Sequence, residues 1–360
     1  MAEFRTRDAT LYVSKNREST FNTPYTAGAE FLKATPDTPI VRIPQLQKRS
    51  DQGRAGSRFA HTLCNEYWLS PAIGFGEDAN FDLAGRLMLR GLGGTITDST
   101  VVTSVAFKHV CKMLAVSAGL QLPGSTVVSV NPGSGASFLY PGCVVDAIEM
   151  SQEGTNPVKV SFEILGTGKH RSPHAVSSLP SSPSFTCLKS TAILEYTDGG
   201  GLVDLTSGCK IRNWRIRVSN NHNPVDDRCI GDPTQDAGDY TASGGLSDAA
   251  YLQKLTHGDP TVEASITLLL DSTLPEWIQM AENEALTDIT FGAVGAELDS
   301  GGPTNETLKL IIPAGAFNAV EWVDSNGKAA VTLTFIAFED GSSDSAVTAE
   351  VVNGTNTGFD

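Results

Sequence analysis

Three short stretches carry residue types that could do chemistry, and each lacks part of the pattern that its chemistry needs. His170 and His174 in HRSPH have the i, i+4 spacing of a metal-binding pair, but Pro173 breaks the helix that would align them. Residues 231–239 (GDPTQDAGD) hold three aspartates without the ligand spacing of a calcium loop, which indicates a solvated turn. GTGKH at 166–170 holds Gly and Lys but lacks the G-x-x-x-x-G-K-[ST] frame of a phosphate loop.

The nucleophilic residues give no support to an enzyme either. The sequence has no G-x-S-x-G elbow, and no Cys and His pair stands out as a nucleophile with its base. We therefore expect a protein that is not an enzyme and that needs no cofactor and no metal.

Composition favours a globular chain built mainly of β-strands. Among 360 residues, 40% are hydrophobic and 19% charged, and 35 Gly and 18 Pro separate many short β-branched runs.

No apolar run approaches the roughly 18 residues of a membrane helix, and the first thirty residues lack the order of a signal peptide. Six scattered cysteines without a C-x-x-C pair indicate free thiols in a reducing compartment. We expect a soluble protein that is made in the cytoplasm.

Charge is distributed unevenly along the chain. Residues 1–60 hold ten Lys or Arg and six Asp or Glu, a net charge of +4, whereas the whole chain has a net charge of −15, which leaves −19 for the remainder. A body this acidic is not suited to binding DNA by neutralising phosphates, which argues against a sequence-reading DNA binder. A surface that lets DNA pass without binding it stays possible.

Residues 142–169 form the strongest structural signal, a long β-hairpin. Its second arm alternates with a period of two, which places apolar side chains on one face and polar ones on the other. The apolar face holds Val158, Val160, Phe162 and Ile164, and the polar face holds Lys159, Ser161 and Glu163. The first arm alternates less cleanly, because Asp146 is in register with apolar neighbours.

A second strand pair of the same kind covers residues 212–218 and 261–271. Its apolar positions include Trp214, Ile216 and Ile266, and its polar positions are Asn213, Arg215, Arg217, Glu263, Ser265 and Thr267. Four long strands thus share one apolar face for packing and one polar face for water, as in antiparallel sheets.

The predicted fold is mainly β, a β-sandwich or barrel of antiparallel strands with one or two short flanking helices. Residues 78–94 are a helix candidate that ends at glycines, and residues 247–258 have helical spacing. The segment 272–286 also reads as a helix, in which Trp277 would pack onto the sandwich.

The first 60 residues are expected to be an extended arm, followed by a single domain over 61–360 with long loops near 171–186 and 220–245. The arm has too few apolar residues for a core of its own and too many for a solvated tail. We therefore predict that it lies on a neighbouring subunit through Phe31, Leu32, Ile40, Val41 and Ile43.

Four stretches resemble the tail tube protein, or major tail protein, of phages with long, non-contractile tails (siphophages). They are GCVVDAIEMSQEGTNPVKVSFEILGTGK, GCKIRNWRIRVSNNHNP, GDPTVEASITLLLDS and LKLIIPAGAF, and together they span roughly 140–340. The resemblance implies a β-sandwich subunit with a flanking helix. It also implies rings, commonly hexameric, in which one sheet of each subunit joins a barrel around the DNA channel.

On that resemblance, the polar residues of the four strands would line the lumen of a virion tail. The implied partners are further copies of the chain, the tail initiator, terminator and tape-measure proteins, and viral DNA that passes without specific binding; no membrane is implied. Assembly would occur in the bacterial host cytoplasm. The alternative is a β-sandwich binding module of the virion, for host attachment or capsid decoration, or a carbohydrate binder; an enzyme is the third interpretation.

Overall fold

The structure is a computed structural model. It describes residues 10–34, 45–50, 61–66, 72–75, 78–79, 81–114, 121–130, 137–167, 176–180, 186–187, 192–198, 201–206, 211–222, 256–269, 286–299, 302–325, 327–339 and 345–355.

Within these residues the chain forms twenty strands, one α-helix and one 3₁₀ turn, and all strand pairs are antiparallel. The strands before the helix are β1 (Thr10–Ser14), β2 (Phe31–Ala34), β3 (Gln45–Ser50), β4 (His61–Glu66), β5 (Ala72–Phe75) and β6 (Asp78–Ala79). After the helix α1 (Phe81–Leu92) come β7 (Gly93–Val102), β8 (Ala106–Met113), β9 (Ser125–Val130), β10 (Phe138–Glu153), β11 (Lys159–Gly166), β12 (Thr186–Cys187), β13 (Ala192–Asp198) and β14 (Gly201–Asp204). The last strands are β15 (Ile211–Ser219), β16 (Thr261–Leu269), β17 (Thr287–Glu297), β18 (Asn305–Ser325), β19 (Lys328–Ala337) and β20 (Thr348–Asn353). The prediction of a mainly β, antiparallel fold is confirmed.

Sixteen of these strands belong to one sheet. Its main path runs β14-β13-β17-β18-β19-β16-β15-β10-β9-β1-β2, and β11, β5, β20, β8 and β7 join as branches. The predicted central hairpin is β10 paired with β11, and the second predicted pair is β15 with β16. Since β10 also pairs with β15, the four long strands are neighbours in the order β11-β10-β15-β16.

Strand β18 connects the two halves of the sheet. Its first half pairs with β17 and β20, and from Gly315 onwards it pairs with β19. A side chain at position 315 would collide with the ring of Phe335 and lie 2.8 Å from the carbonyl oxygen of Ile336, so this position requires glycine. Across the core, the rings of Trp214 on β15 and Phe291 on β17 are 5.7 Å apart. The sheet therefore encloses one hydrophobic core between its halves.

The helix α1 occupies the place that the sequence predicted for residues 78–94. Phe81, Leu83, Leu87 and Met88 are all buried in the main core. The other two predicted helices, at 247–258 and 272–286, lie outside the described residues apart from residues 256–258 and Leu286, none of which is helical.

Residues 10–34 belong to the body of the subunit. Strand β1 pairs with β2 on one edge and with β9 on the other, and Leu11, Val13 and Ala34 are buried in the main core. Phe31 is 1% exposed. The expectation that these residues form an arm on a neighbouring subunit is therefore wrong, because their few apolar side chains complete the subunit's own core.

The other four residues that were predicted to contact a neighbouring subunit give a different result. Leu32 is partly buried against the main core of its own subunit. Ile40, Val41 and Ile43 lie outside the described residues and remain candidates for contact with a neighbour.

Two buried arginines of α1 hold the end of β1. Arg90 donates hydrogen bonds from Nη1 to the carbonyl oxygen of Ser14 at 2.9 Å and to Oγ of Ser125 at 2.8 Å, and from Nη2 to the carbonyl oxygen of Lys15. Arg86 donates to the same Lys15 carbonyl at 2.8 Å. Burial, and then the charge of Arg86, lower the pKa of Arg90 to about 9, so its guanidinium is still charged at neutral pH.

A buried glutamate holds the next turn of the same segment. Glu18 accepts hydrogen bonds from Oγ1 of Thr126 at 2.7 Å and from the backbone N–H groups of Asn22 at 2.9 Å and Gly142 at 3.0 Å. Gly142 has φ +66°, a backbone conformation that a side chain would strain. The N-terminal segment is thus fixed by buried charges as well as by strand pairing.

The Arg90→Met variant is expected to lose about 3 kcal/mol of unfolding free energy, because the carbonyl groups of Ser14 and Lys15 would lose a charged donor. Chemical denaturation of the purified subunit measures this loss. The matched control is Arg215→Met, which removes a side chain that is 53% exposed and should cost less than about 1 kcal/mol. Equal losses in the two variants would contradict the anchoring role of Arg90.

Candidate functional site

One face of β11, β10, β15 and β16 carries charged and polar side chains on all four strands. In cross-strand register, Glu149 is opposite Ser161 on β11 and Arg217 on β15, and Arg217 is opposite Glu263 on β16. The next row along the strands joins Lys159, Ser151, Arg215 and Ser265. We call this surface the charged face.

The structure brings the nine polar residues singled out in the sequence onto this one face. They are Lys159, Ser161, Glu163, Asn213, Arg215, Arg217, Glu263, Ser265 and Thr267. All are at least partly exposed except Thr267, whose hydroxyl lies 2.9 Å from that of Thr332 on β19. The charged face is therefore continuous across four strands.

The opposite face of the same strands packs into the main core. Val158, Val160, Phe162, Ile164, Trp214, Ile216 and Ile266 are each at most 3% exposed. Trp277, the eighth residue expected in the core, lies outside the described residues.

A β-bulge in β10 explains the irregular alternation of the first arm. Val145 pairs with Ile164 and Ala147 with Glu163, so Asp146 is an extra residue without a partner in the ladder. After the bulge Ile148 and Met150 face the core, and the residues between and after them turn to the charged face. Glu149, Ser151 and Glu153 therefore belong to the charged face, which sequence reasoning missed.

Glu149 is the centre of a ladder of ion pairs. Its Oε2 accepts hydrogen bonds from Arg215 at 2.6 Å and from Arg217 at 3.2 Å. Arg217 also donates to Oε2 of Glu163 at 2.8 Å, so the ladder links three strands. The bond to Glu163 raises the pKa of Arg217; burial opposes this shift and the bond to Glu149 adds to it.

The ladder leaves little positive charge available on the charged face. Two of the three cations of the charged face are paired, and its carboxylates outnumber its cations four to three. The cations are Lys159, Arg215 and Arg217, and the carboxylates are Glu149, Glu153, Glu163 and Glu263. Each exposed pair contributes at most about 1 kcal/mol, so the ladder sets the electrostatic character of the face more than its stability.

The sheet that carries the charged face has an open edge on each side within the described part of the chain. Residues 316–325 of β18 pair only with β19, and β5 pairs only with β11. Of the four large hydrophobic side chains that are exposed among the described residues, three lie on or beside β18: Leu286 (65% exposed), Trp322 (65%) and Phe338 (48%). Open edges with apolar side chains are typical of surfaces that pair with another chain.

The other stretches with candidate chemistry contribute no site within the described residues. His170, His174 and residues 231–239 lie outside those residues, and Thr167 of GTGKH donates a hydrogen bond to Asn22 at 2.8 Å. In the described part of the chain no three His, Cys, Asp or Glu residues gather to hold a metal ion.

A family model described as phage tail tube protein matches residues 72–307, about two thirds of the chain. The chain belongs to this family. The matched residues include all four strands of the charged face, and the resemblance found in the sequence is confirmed. A phage tail tube protein is a structural component of the virion tail that assembles with its own copies into a tube.

Two further findings concern this tail tube protein. No curated protein matches the chain. No helix among the described residues has both the length and the apolar character needed to cross a membrane.

Proposed function

We propose that six copies of this tail tube protein form a ring and that stacked rings form the tail tube of a siphophage, with the charged face turned to the lumen. The observation that carries the proposal is the charged face itself, with its ion-pair ladder on one side of a sheet and the core on the other. A polar face on a packed sheet needs water, and a DNA channel supplies it. DNA would pass through this channel during ejection into the host.

The charge of the face suits a wall that conducts DNA. Phosphates bind to free Lys and Arg, but here Arg215 and Arg217 are neutralised by Glu149 and Glu163. The remaining carboxylates repel the phosphates, so DNA can move without sticking. The same wall would face the tape-measure protein before ejection, and the initiator and terminator proteins would define the two ends of the tube. Assembly would take place in the host cytoplasm.

The open edges and their apolar side chains support contact between neighbouring subunits in the ring. A second copy placed against residues 316–325 would satisfy free backbone groups of β18 and cover Trp322. Closure of a ring removes both edges of the sheet at once. This explains why the chain can carry an exposed tryptophan on a strand whose outer edge has no partner within the described residues.

Electron microscopy of the purified protein, alone and with the tail initiator protein, tests the proposal. The expected result is hollow tubes of stacked rings, and top views should show six subunits. Discrete monomers or trimers at high concentration with initiator present would contradict it and favour the alternative of a virion binding module. Tubes that are built of three-fold rings would correct the number of subunits in a ring but would keep the charged face in the lumen.

A further inference from the structure

Two buried histidines lie side by side where β15 ends and β16 begins. His222 follows β15 and His257 precedes β16, and the two ring centres are 6.4 Å apart with an angle of 81° between the ring planes. The side chain of His222 is fully buried, and His257 is 6% exposed. Neither residue belongs to the charged face or to the core clusters.

Hydrogen bonds fix the same tautomer in both neutral rings. Nδ1 of His222 lies 2.9 Å from Oδ1 of Asp146, and Nδ1 of His257 lies 2.8 Å from the carbonyl oxygen of Gly258. The ionised carboxylate of Asp146 and the carbonyl oxygen of Gly258 can only accept hydrogen bonds. Each Nδ1 therefore carries a proton and donates it. In a neutral imidazole the other nitrogen, Nε2, then carries a free lone pair.

Both Nε2 atoms are buried and have no hydrogen-bond partner in the described part of the chain. Most buried polar atoms in proteins have a partner, and two such nitrogens on neighbouring rings are therefore unusual. An Nδ1–H that donates to a carboxylate or a backbone carbonyl is also the arrangement that orients histidines toward metal ions.

We propose that His222 and His257 bind one divalent transition-metal ion, such as Zn²⁺ or Ni²⁺, through their Nε2 atoms. Asp146, which lies in the β10 bulge, would orient His222 and balance part of the charge of the metal. Metal–nitrogen bonds of about 2.0 to 2.1 Å place two ligating rings about 5 to 6 Å apart, so the rings need to approach by about 1 Å. Water would occupy the remaining coordination positions.

Bound metal would join the ends of two strands of the charged face. Because β15 and β16 are separated in the sequence by residues 220–260, a link between His222 and His257 would close a long connection at its base. The site acts on the stability of the subunit and does not depend on the proposed ring.

Calorimetric titration of the full chain with Zn²⁺ and with Ni²⁺, after treatment with EDTA, tests the site. We expect one ion per subunit and a rise in Tm of about 3 °C at saturation. His222→Gln and His257→Gln should each abolish both effects. Asp146→Asn should weaken affinity about tenfold and keep the stoichiometry.

The matched control is the double variant His170→Gln/His174→Gln, which removes the other histidine pair and should bind metal normally. Loss of binding in this control, or normal binding by His222→Gln, would overturn the proposal. For the unmodified protein, anomalous scattering from a zinc-soaked crystal should show a peak between the two Nε2 atoms. A map without a peak there would overturn the proposal even if the variants fail to fold.

Discussion

Tubes are expected to disappear when Trp322 is replaced by arginine, although the subunit still folds. The indole lies on the half of β18 with an open edge and is 65% exposed, so its loss leaves no cavity in the core. In the proposed ring a neighbouring subunit would cover it. Losing a buried tryptophan from an interface costs about 2 to 4 kcal/mol, which raises the concentration needed for assembly by about 30-fold to 1000-fold.

Sedimentation of assembled material at increasing protein concentration measures this change, and circular dichroism checks the fold. Trp322→Phe is the matched control, because it keeps an aromatic anchor and should still form tubes. Normal assembly by Trp322→Arg would show that this side of β18 is not a contact between subunits.

Ejection of DNA should slow about tenfold or more at low salt when Glu263 is replaced by lysine. Glu263 is exposed on β16, and neither the ladder nor the core depends on it, so the variant should fold and form tubes. Each subunit would add a free cation to the lumen, repeated in every ring, and phosphates would bind to it. The effect should shrink as salt is raised, because released counterions drive this binding.

Ejection kinetics from virions that carry the variant tube provide the measurement. Glu195→Lys is the matched control, since it makes the same charge change on β13, in the other half of the sheet. Glu195 faces away from the core there, between buried Leu194 and Tyr196. Equal ejection rates for Glu263→Lys and the unmodified protein, with intact tubes, would place β16 outside the lumen.

The charged face was predictable from sequence wherever a strand keeps strict alternation. In β11 and β15 every second side chain is apolar, from Val158 to Ile164 and from Trp214 to Val218, so the period of two assigns the faces. The pairing of β11 with β10 and of β15 with β16 also followed, because long strands with one polar face pair in antiparallel sheets.

The centre of the ladder was not predictable, because one bulged residue shifts the alternation. Because of the bulge at Asp146, Val145 before it and Ile148 after it both face the main core, which a continuous period of two does not allow. A count restarted at Ile148 gives the correct faces and would have found Glu149. The local sign of the bulge is that Asp146 is in register with apolar neighbours, but its partner His222 is 76 residues away in the chain.

The prediction for the N-terminal segment was wrong for a different reason. Its apolar residues indicate burial against something, but sequence cannot distinguish the subunit's own core from that of a neighbour. The segment is held in its own subunit by contacts with residues that are far away in the sequence, such as the hydrogen bond from Arg90 to the carbonyl oxygen of Ser14. Such contacts depend on the whole fold and leave no signal in the segment itself.

The most direct test of the central claim is a helical reconstruction of the assembled tubes by cryo-electron microscopy. We expect β11, β10, β15 and β16 of every subunit to form the inner wall, with the ladder of Glu149, Arg217 and Glu163 exposed to the channel. A map in which this face lies on the outer surface of the tube, or is buried between subunits, would contradict it.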